Sequence, residues 1–320
     1  MSPDDFTAAD IASPAVAGAR GKPTVALALG AGGAKGLAHI GVIEEIEHQG
    51  FEIVAIAGCS MGALIGGIHA MGKLDVYRDW VCALARLDVL RLLDWTFSGG
   101  GLIKGERIIG TLRELIGDTQ IEELPMAFTA VATDLDREQE VWLTRGSLFD
   151  AIRASIAIPT VFRPRIVDGY RLIDGALLNP VPVTPLTGRG ADYVVAVSMD
   201  GPSETAIAPE HDAADAIADA SYRHRIGEFV GRLLGHGVSQ PREPGTFETL
   251  TQAMDLMQAN LARLRLADCE PDLLIQLPRN IASAYEFYRA RELIDRGRAQ
   301  ARESLAGWSK TATATPLRSS

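Results

Sequence analysis

Apolar and polar positions along the chain fall into two alternating rhythms. Residues 25–29 form a short unbroken apolar run, the pattern of a strand buried on both faces. A glycine-rich loop, residues 30–36, follows it and opens a stretch of helical spacing that reaches about Gln49. The same order returns at once: residues 53–59 are apolar, a tight turn rich in glycine comes next, and a helix-forming stretch follows. Repetition of strand and helix patterns over residues 23–200 predicts an α/β domain, with helices flanking one mainly parallel sheet and residues 191–199 as a late core strand. Residues 201–212 read as a linker. Two amphipathic helices are expected at 213–235 and 246–267. The first carries Ile217, Ile226, Phe229, Val230, Leu233 and Leu234, the second Leu250, Met254, Leu256, Met257, Leu261 and Leu264. Both stripes are expected to pack on the parent domain, with a lid or lipid-facing role as the alternative. Residues 1–22 and 309–320 have the composition of disordered tails.

Composition narrows the class. Of 320 residues, 47% are hydrophobic and 22% charged, enough apolar material for a large core. The balance of 31 basic against 41 acidic residues gives a net charge of −10, which opposes nucleic-acid binding and attraction to anionic membranes. Cys59, Cys82 and Cys269 have no metal-ligand spacing, and their odd number points to a reducing, cytoplasmic compartment. The first twenty residues hold Asp4, Asp5 and Asp10 and no basic residue before Arg20, which is not a secretion pattern. The stretch 53–71 approaches membrane length, but its internal turn and glycines make it a strand plus a buried helix.

That turn reads Gly58-Cys59-Ser60-Met61-Gly62, the grammar of a nucleophile elbow. Side chains at Gly58 or Gly62 would collide with the adjoining strand and helix; without them the Ser60 hydroxyl stands beside a helix N-terminus. Read alone, the motif fits a small-residue packing turn equally well. The earlier loop, Gly30-Ala31-Gly32-Gly33-Ala34-Lys35-Gly36, offers backbone N–H groups to an anion. A dinucleotide is disfavoured because the six-residue frame ending at Gly36 begins with Ala31 and no acidic residue ends the next strand. A nucleoside triphosphate is disfavoured because Gly36, not Ser or Thr, follows Lys35. An oxyanion remains, and it accounts for a serine elbow on the next strand.

Two Asp-Gly pairs follow. Asp168-Gly169, between short strand patterns, is a hairpin signal. Asp174, at the end of the returning strand and followed by the small residues Gly175 and Ala176, is the better candidate for chemistry.

With these three motifs in order, the chain resembles the patatin-like phospholipase family, especially its small bacterial members and the catalytic domain of neuropathy target esterase. The resemblance runs from about Pro23 to Met199, and residues 154–162 also look like a block of that family. Residues 271–275 and the helix after them look like the closing strand and helix of the bacterial members. The resemblance implies a three-layer α/β fold and lipid acyl-ester hydrolysis by a Ser60–Asp174 dyad, with Gly32, Gly33 and Met61 giving oxyanion N–H groups. It implies no cofactor and no metal. Ala31 and Ala176 depart from the family by replacing glycines; position 31 is expected not to need a left-handed conformation.

In the mechanism so implied, Asp174 takes the Ser60 proton, an acyl-enzyme forms, and Asp174 then activates water. Lys35 is read as a loop-structuring or surface charge rather than a catalyst, and Cys59 as a core residue pointing away from Ser60. The apolar run 90–102 with its triple glycine is the expected wall or gate of an acyl-chain pocket. A rival triad would use Asp200 with His211, His224 or His236, all three histidines lying outside strand-end contexts; His39, His48 and His69 are read as structural. A non-catalytic lipid-binding module is the alternative of another class. The expected partner is a lipid or other acyl ester, compatible with peripheral membrane contact, and the oligomeric state is open.

Overall fold

The computed structural model describes residues 22–92, 101–103, 105–204 and 246–312. Strands β1 (Thr24–Leu29), β2 (Glu52–Cys59), β3 (Gly101–Ile103), β4 (Ala127–Asp134) and β5 (Gln139–Leu143) come first, followed by β6 (Thr160–Phe162), β7 (Arg165–Val167), β8 (Tyr170–Asp174), β9 (Tyr193–Gly201) and β10 (Leu273–Pro278). The helices are α1 (Ala38–His48), α2 (Met61–Ala70), α3 (Leu74–Ala83), α4 (Arg86–Leu92), α5 (Glu106–Ile116), α6 (Leu148–Ser155), α7 (Thr246–Asp268) and α8 (Ala290–Ala312). The predicted helix 213–235, most of the predicted pocket wall 90–102 and residues 1–21 and 313–320 of the expected tails lie outside the described residues, whereas residues 309–312, expected in the C-terminal tail, instead form the end of α8. Gly101–Ile103 pairs with Thr160–Phe162 as a separate two-stranded sheet that the sequence did not suggest.

The main sheet runs β10-β9-β1-β2-β4-β8-β7, with β5 also on β4. Every pair from β10 to β4 is parallel, and the pairs β4–β5, β4–β8 and β7–β8 are antiparallel, so the sheet is mixed with a parallel core. The predicted hairpin is present: Asp168 and Gly169 link β7 to β8, both with positive φ (49° and 81°), as a two-residue turn between right-twisted strands requires.

The two sheet faces are unequal. Val25, Leu27 and Leu29 of β1 and Val195, Val197 and Met199 of β9 face a large core shared with α1, α2, α6 and α8. Ala26, Ala28, Ala55, Ala57 and Ala196 line the opposite face. Small side chains there let α7 lie close, and it packs through Ala262 and Leu266. This corrects the stripe expected for 246–267: Leu250, Leu256, Met257 and Leu264 are exposed, because a shallow alanine face is filled by small residues. No helix among the described residues is long and apolar enough to cross a membrane, and residues 53–71 form β2 and α2.

Candidate active site

Both glycine-rich turns leave the sheet at the carboxyl ends of the neighbouring parallel strands β1 and β2, where open α/β sheets place their ligand sites. The elbow is as tight as the sequence predicts. A Cβ on Gly58 would lie 2.4 Å from the Gly62 carbonyl oxygen, and one on Gly62 would lie 2.0 Å from that of Leu29. Ser60 itself is held at φ 55°, ψ −121°, a region that non-glycine residues rarely occupy. Its carbonyl accepts the N–H groups of Ala63 and Leu64, starting α2.

Sheet register brings the second residue to the first. Because β5 takes one edge of β4 over Ala130–Asp134, β2 and β8 must share the other. Cys59 of β2 pairs with Val131, and Asp174 of β8 pairs with the next residue, Ala132. One strand therefore ends where the opposing one ends, and residues 114 positions apart meet. Ser60 Oγ donates to Asp174 Oδ2 at 2.7 Å, and both residues are buried. The other carboxylate oxygen, Oδ1, accepts the Ala176 N–H at 2.9 Å and the Cys59 thiol at 3.7 Å. Gly175 permits this turn, since a Cβ there would sit 2.3 Å from the Val131 carbonyl oxygen.

Burial pushes the Asp174 carboxyl up from 3.8 to about 6, against the pull of the hydrogen bonds from Ser60, Ala176 and Cys59. Two consequences follow. If the ionised form is the working one, kcat/KM falls on the acid side with an apparent pKa near 6; a profile flat from pH 5 to 8 would contradict this. The folded value lies above the unfolded one, so the contribution to stability is present below pH 4 and lost as pH rises through 6. Asp174→Asn, which keeps the shape without the charge, is expected to stabilise the fold at pH 7 by up to about 3 kcal/mol, fading towards pH 4. Denaturant titrations at the two pH values check it.

In the first loop, Gly30 donates to Val197 O, Ala31 to Pro180 O and Ala34 to Ala284 O, at 2.9 to 3.0 Å. The N–H groups of Gly32, Gly33 and Met61 have no acceptor among the described residues. Gly33 has φ 54°, while Ala31 is not in the left-handed region, so its alanine does not reshape the loop. Gly36 lies against Met61, where a Cβ would meet the Met61 Cβ at 2.4 Å. Lys35 donates to the Met199 carbonyl at 3.3 Å and stands 3.9 Å from the Asp200 carboxylate. That ties the loop to the end of β9. It also occupies the acid of the rival triad, whose histidines His211, His224 and His236 lie outside the described residues.

Three neighbours make contacts at the site that the sequence does not show. Cys59 is core, as expected, but its thiol also touches Asp174, and burial keeps it protonated. His39 is fully buried with Nε2 2.8 Å from the Gly30 carbonyl; burial lowers it to about 4, so a neutral ring donates and braces the loop. Ser155, at the end of α6, accepts the Ser60 N–H at 2.9 Å and donates to Val131 O at 2.6 Å. The described residues hold no cluster of His, Cys, Asp or Glu arranged around a metal position.

Against known proteins, residues 27–187 match the family described as patatin-like phospholipase. An uncharacterized NTE family protein of Mycobacterium bovis is 39% identical over 341 residues, spanning 92% of this chain and 95% of that one. The neuropathy target esterase of Drosophila melanogaster is 28% identical across 57% of this chain, and mouse patatin-like phospholipase domain-containing protein 6 is 31% identical across 57%. Those segments are 13% and 14% of the two animal proteins. The chain belongs to the patatin-like phospholipase family, with a patatin-like α/β fold.

Proposed function

We propose that the chain hydrolyses acyl esters of lipids, as a phospholipase A or lysophospholipase, through a Ser60–Asp174 dyad. The observation that carries this reading is the direct 2.7 Å hydrogen bond from Ser60 Oγ to a buried carboxylate. As Oγ attacks the ester carbonyl carbon, its proton passes to Asp174 Oδ2. The carbonyl oxygen gains the negative charge and is met by the N–H groups of Gly32, Gly33 and Met61. Collapse breaks the bond to the alcohol, which leaves with the proton from Asp174. Water then gives its proton to Asp174 and attacks the acyl-enzyme carbonyl; collapse breaks the bond to Oγ, Asp174 returns the proton to Oγ, and the fatty acid leaves with Ser60 restored.

A carboxylate is a weak base for an alcohol, and the raised value of Asp174 narrows that gap. Each donor aimed at the oxyanion lowers the barrier by roughly 3 kcal/mol. The exposed Leu250, Leu256, Met257 and Leu264 on α7 support contact with a lipid surface as part of this reading. The test is covalent labelling by a fluorophosphonate together with hydrolysis of phospholipid and lysophospholipid vesicles and p-nitrophenyl esters. Labelling confined to Ser60 and release of fatty acid support the proposal. Absence of both identifies a non-catalytic member.

A further inference from the structure

The strained backbone at Ser60 needs something to hold it, and the main-chain N–H of that residue points to what does. It is spent on Ser155 Oγ at 2.9 Å rather than left beside Met61 N–H for a substrate anion. The Ser155 hydroxyl has one proton, and that is committed to Val131 O at 2.6 Å. With its proton placed, the oxygen can only accept from Ser60, so the two bonds fix each other's direction. All three groups are buried: Ser155 and Val131 are 0% exposed and Ser60 is 3% exposed.

The same short segment reaches the other half of the dyad. Two residues beyond Ser155, the Ala157 carbonyl accepts the Asp174 N–H at 3.0 Å. Val131, on which Ser155 rests, is the β4 partner of Cys59 and directly precedes the β4 partner of Asp174. Residues 155–157 therefore span the gap between the end of β2 and the end of β8, bonded to the backbone of both reacting residues. We propose that Ser155 is a positioning residue, whose hydroxyl locks the elbow so that Ser60 Oγ lies in line with Asp174 and leaves the Met61 N–H as the elbow's oxyanion donor. It touches no substrate and acts through the backbone of Ser60. This rests on the dyad reading above.

Ser155→Ala is expected to lower kcat and the rate of fluorophosphonate labelling together, by 10-fold to 100-fold, with KM within twofold. A hydroxyl that only supports the fold would lower thermal stability and leave these rates alone, as is expected for Leu305→Ala on α8. The acid limb of the pH profile gives a second signature. The Ser60 hydroxyl is one of the groups that hold the Asp174 value down, so a loosened Ser60 moves that limb upward. Ser155→Thr and Ser155→Val differ by a hydroxyl against a methyl at equal volume; Thr is expected to keep most activity and Val to behave like Ala.

Unchanged kcat in Ser155→Ala, or equal activity in Thr and Val, overturns the proposal. So does failure of all three variants to fold, because the hydroxyl is then needed for the fold rather than for placing Oγ. Ser60→Ala separates the two levels. If it is inactive while Ser155→Ala is fully active, only the positioning role fails; if Ser60→Ala keeps activity, the dyad reading itself fails.

Discussion

Ser60→Ala and Asp174→Asn are each expected to reduce kcat for acyl-ester hydrolysis by at least roughly 10³-fold, the scale seen when a nucleophile or its base is deleted. The two should fail as a unit. Without Oγ no acyl-enzyme forms; without the carboxylate the hydroxyl keeps its proton, since Asp174 is its partner at 2.7 Å. The double variant should therefore be no worse than either single one. Circular dichroism must show an intact fold, and Asp174→Asn should be the more stable protein at pH 7. An Asp174→Asn enzyme of normal activity at neutral pH would remove the base assignment. Activity of Ser60→Ala would remove the nucleophile.

Gly33→Val is expected to lower kcat by about 10²-fold or more while KM stays nearly constant, because the proposed oxyanion donor at this position would act mainly in the transition state. Two constraints converge at this position. Its φ of 54° is strained for a β-branched residue, and a Cβ would lie 2.9 Å from Ala284 O and 3.0 Å from Ala284 Cα. Ala284 is backbone-bonded to Ala34 and cannot yield without moving the loop. Gly50→Val supplies the control: φ there is 88°, nothing lies within 4 Å of a Cβ, and the position is on the turn after α1. It should cost stability and leave kcat alone. A folded Gly33→Val protein with normal kcat would make this loop a structural turn.

Backbone requirements were legible in the sequence because they act over a few residues. Gly58 and Gly62 announce a tight turn and a close approach, and the run Val25-Ala26-Leu27-Ala28-Leu29 announces a strand, whereas the left-handed φ of Gly33 is seen only in the structure. Asp174 was legible through its strand-end place before Gly175. Ser155 was not, since its meaning lies in contacts to residues 95 and 24 positions away, and its only local signal is a small polar side chain within the apolar 154–162 segment. The contact of Cys59 with Asp174 depended on strand register, which one strand does not reveal. The outward position of the apolar residues of α7 is hidden from the sequence for a related reason: periodicity gives a helix its stripe, but the depth of the surface beneath decides which side is buried.

The bonds that steady the first loop also say how little of the chain can be dispensed with. The family match stops at residue 187, yet Gly30 relies on Val197 of β9 and Ala34 on Ala284 beyond β10. A polypeptide ending at 187 would retain Ser60, Asp174 and every glycine of the three motifs. It would also turn β1 from a central strand into an open sheet edge, with β9 gone from its flank. Such a fragment would be an aggregation-prone template in which the loop N–H groups have lost their aim, although its motifs read as complete. For the proposed activity the smallest sufficient unit is set by what hydrogen-bonds to the loop, and it reaches past the matched segment into the closing strand and the turn that follows it.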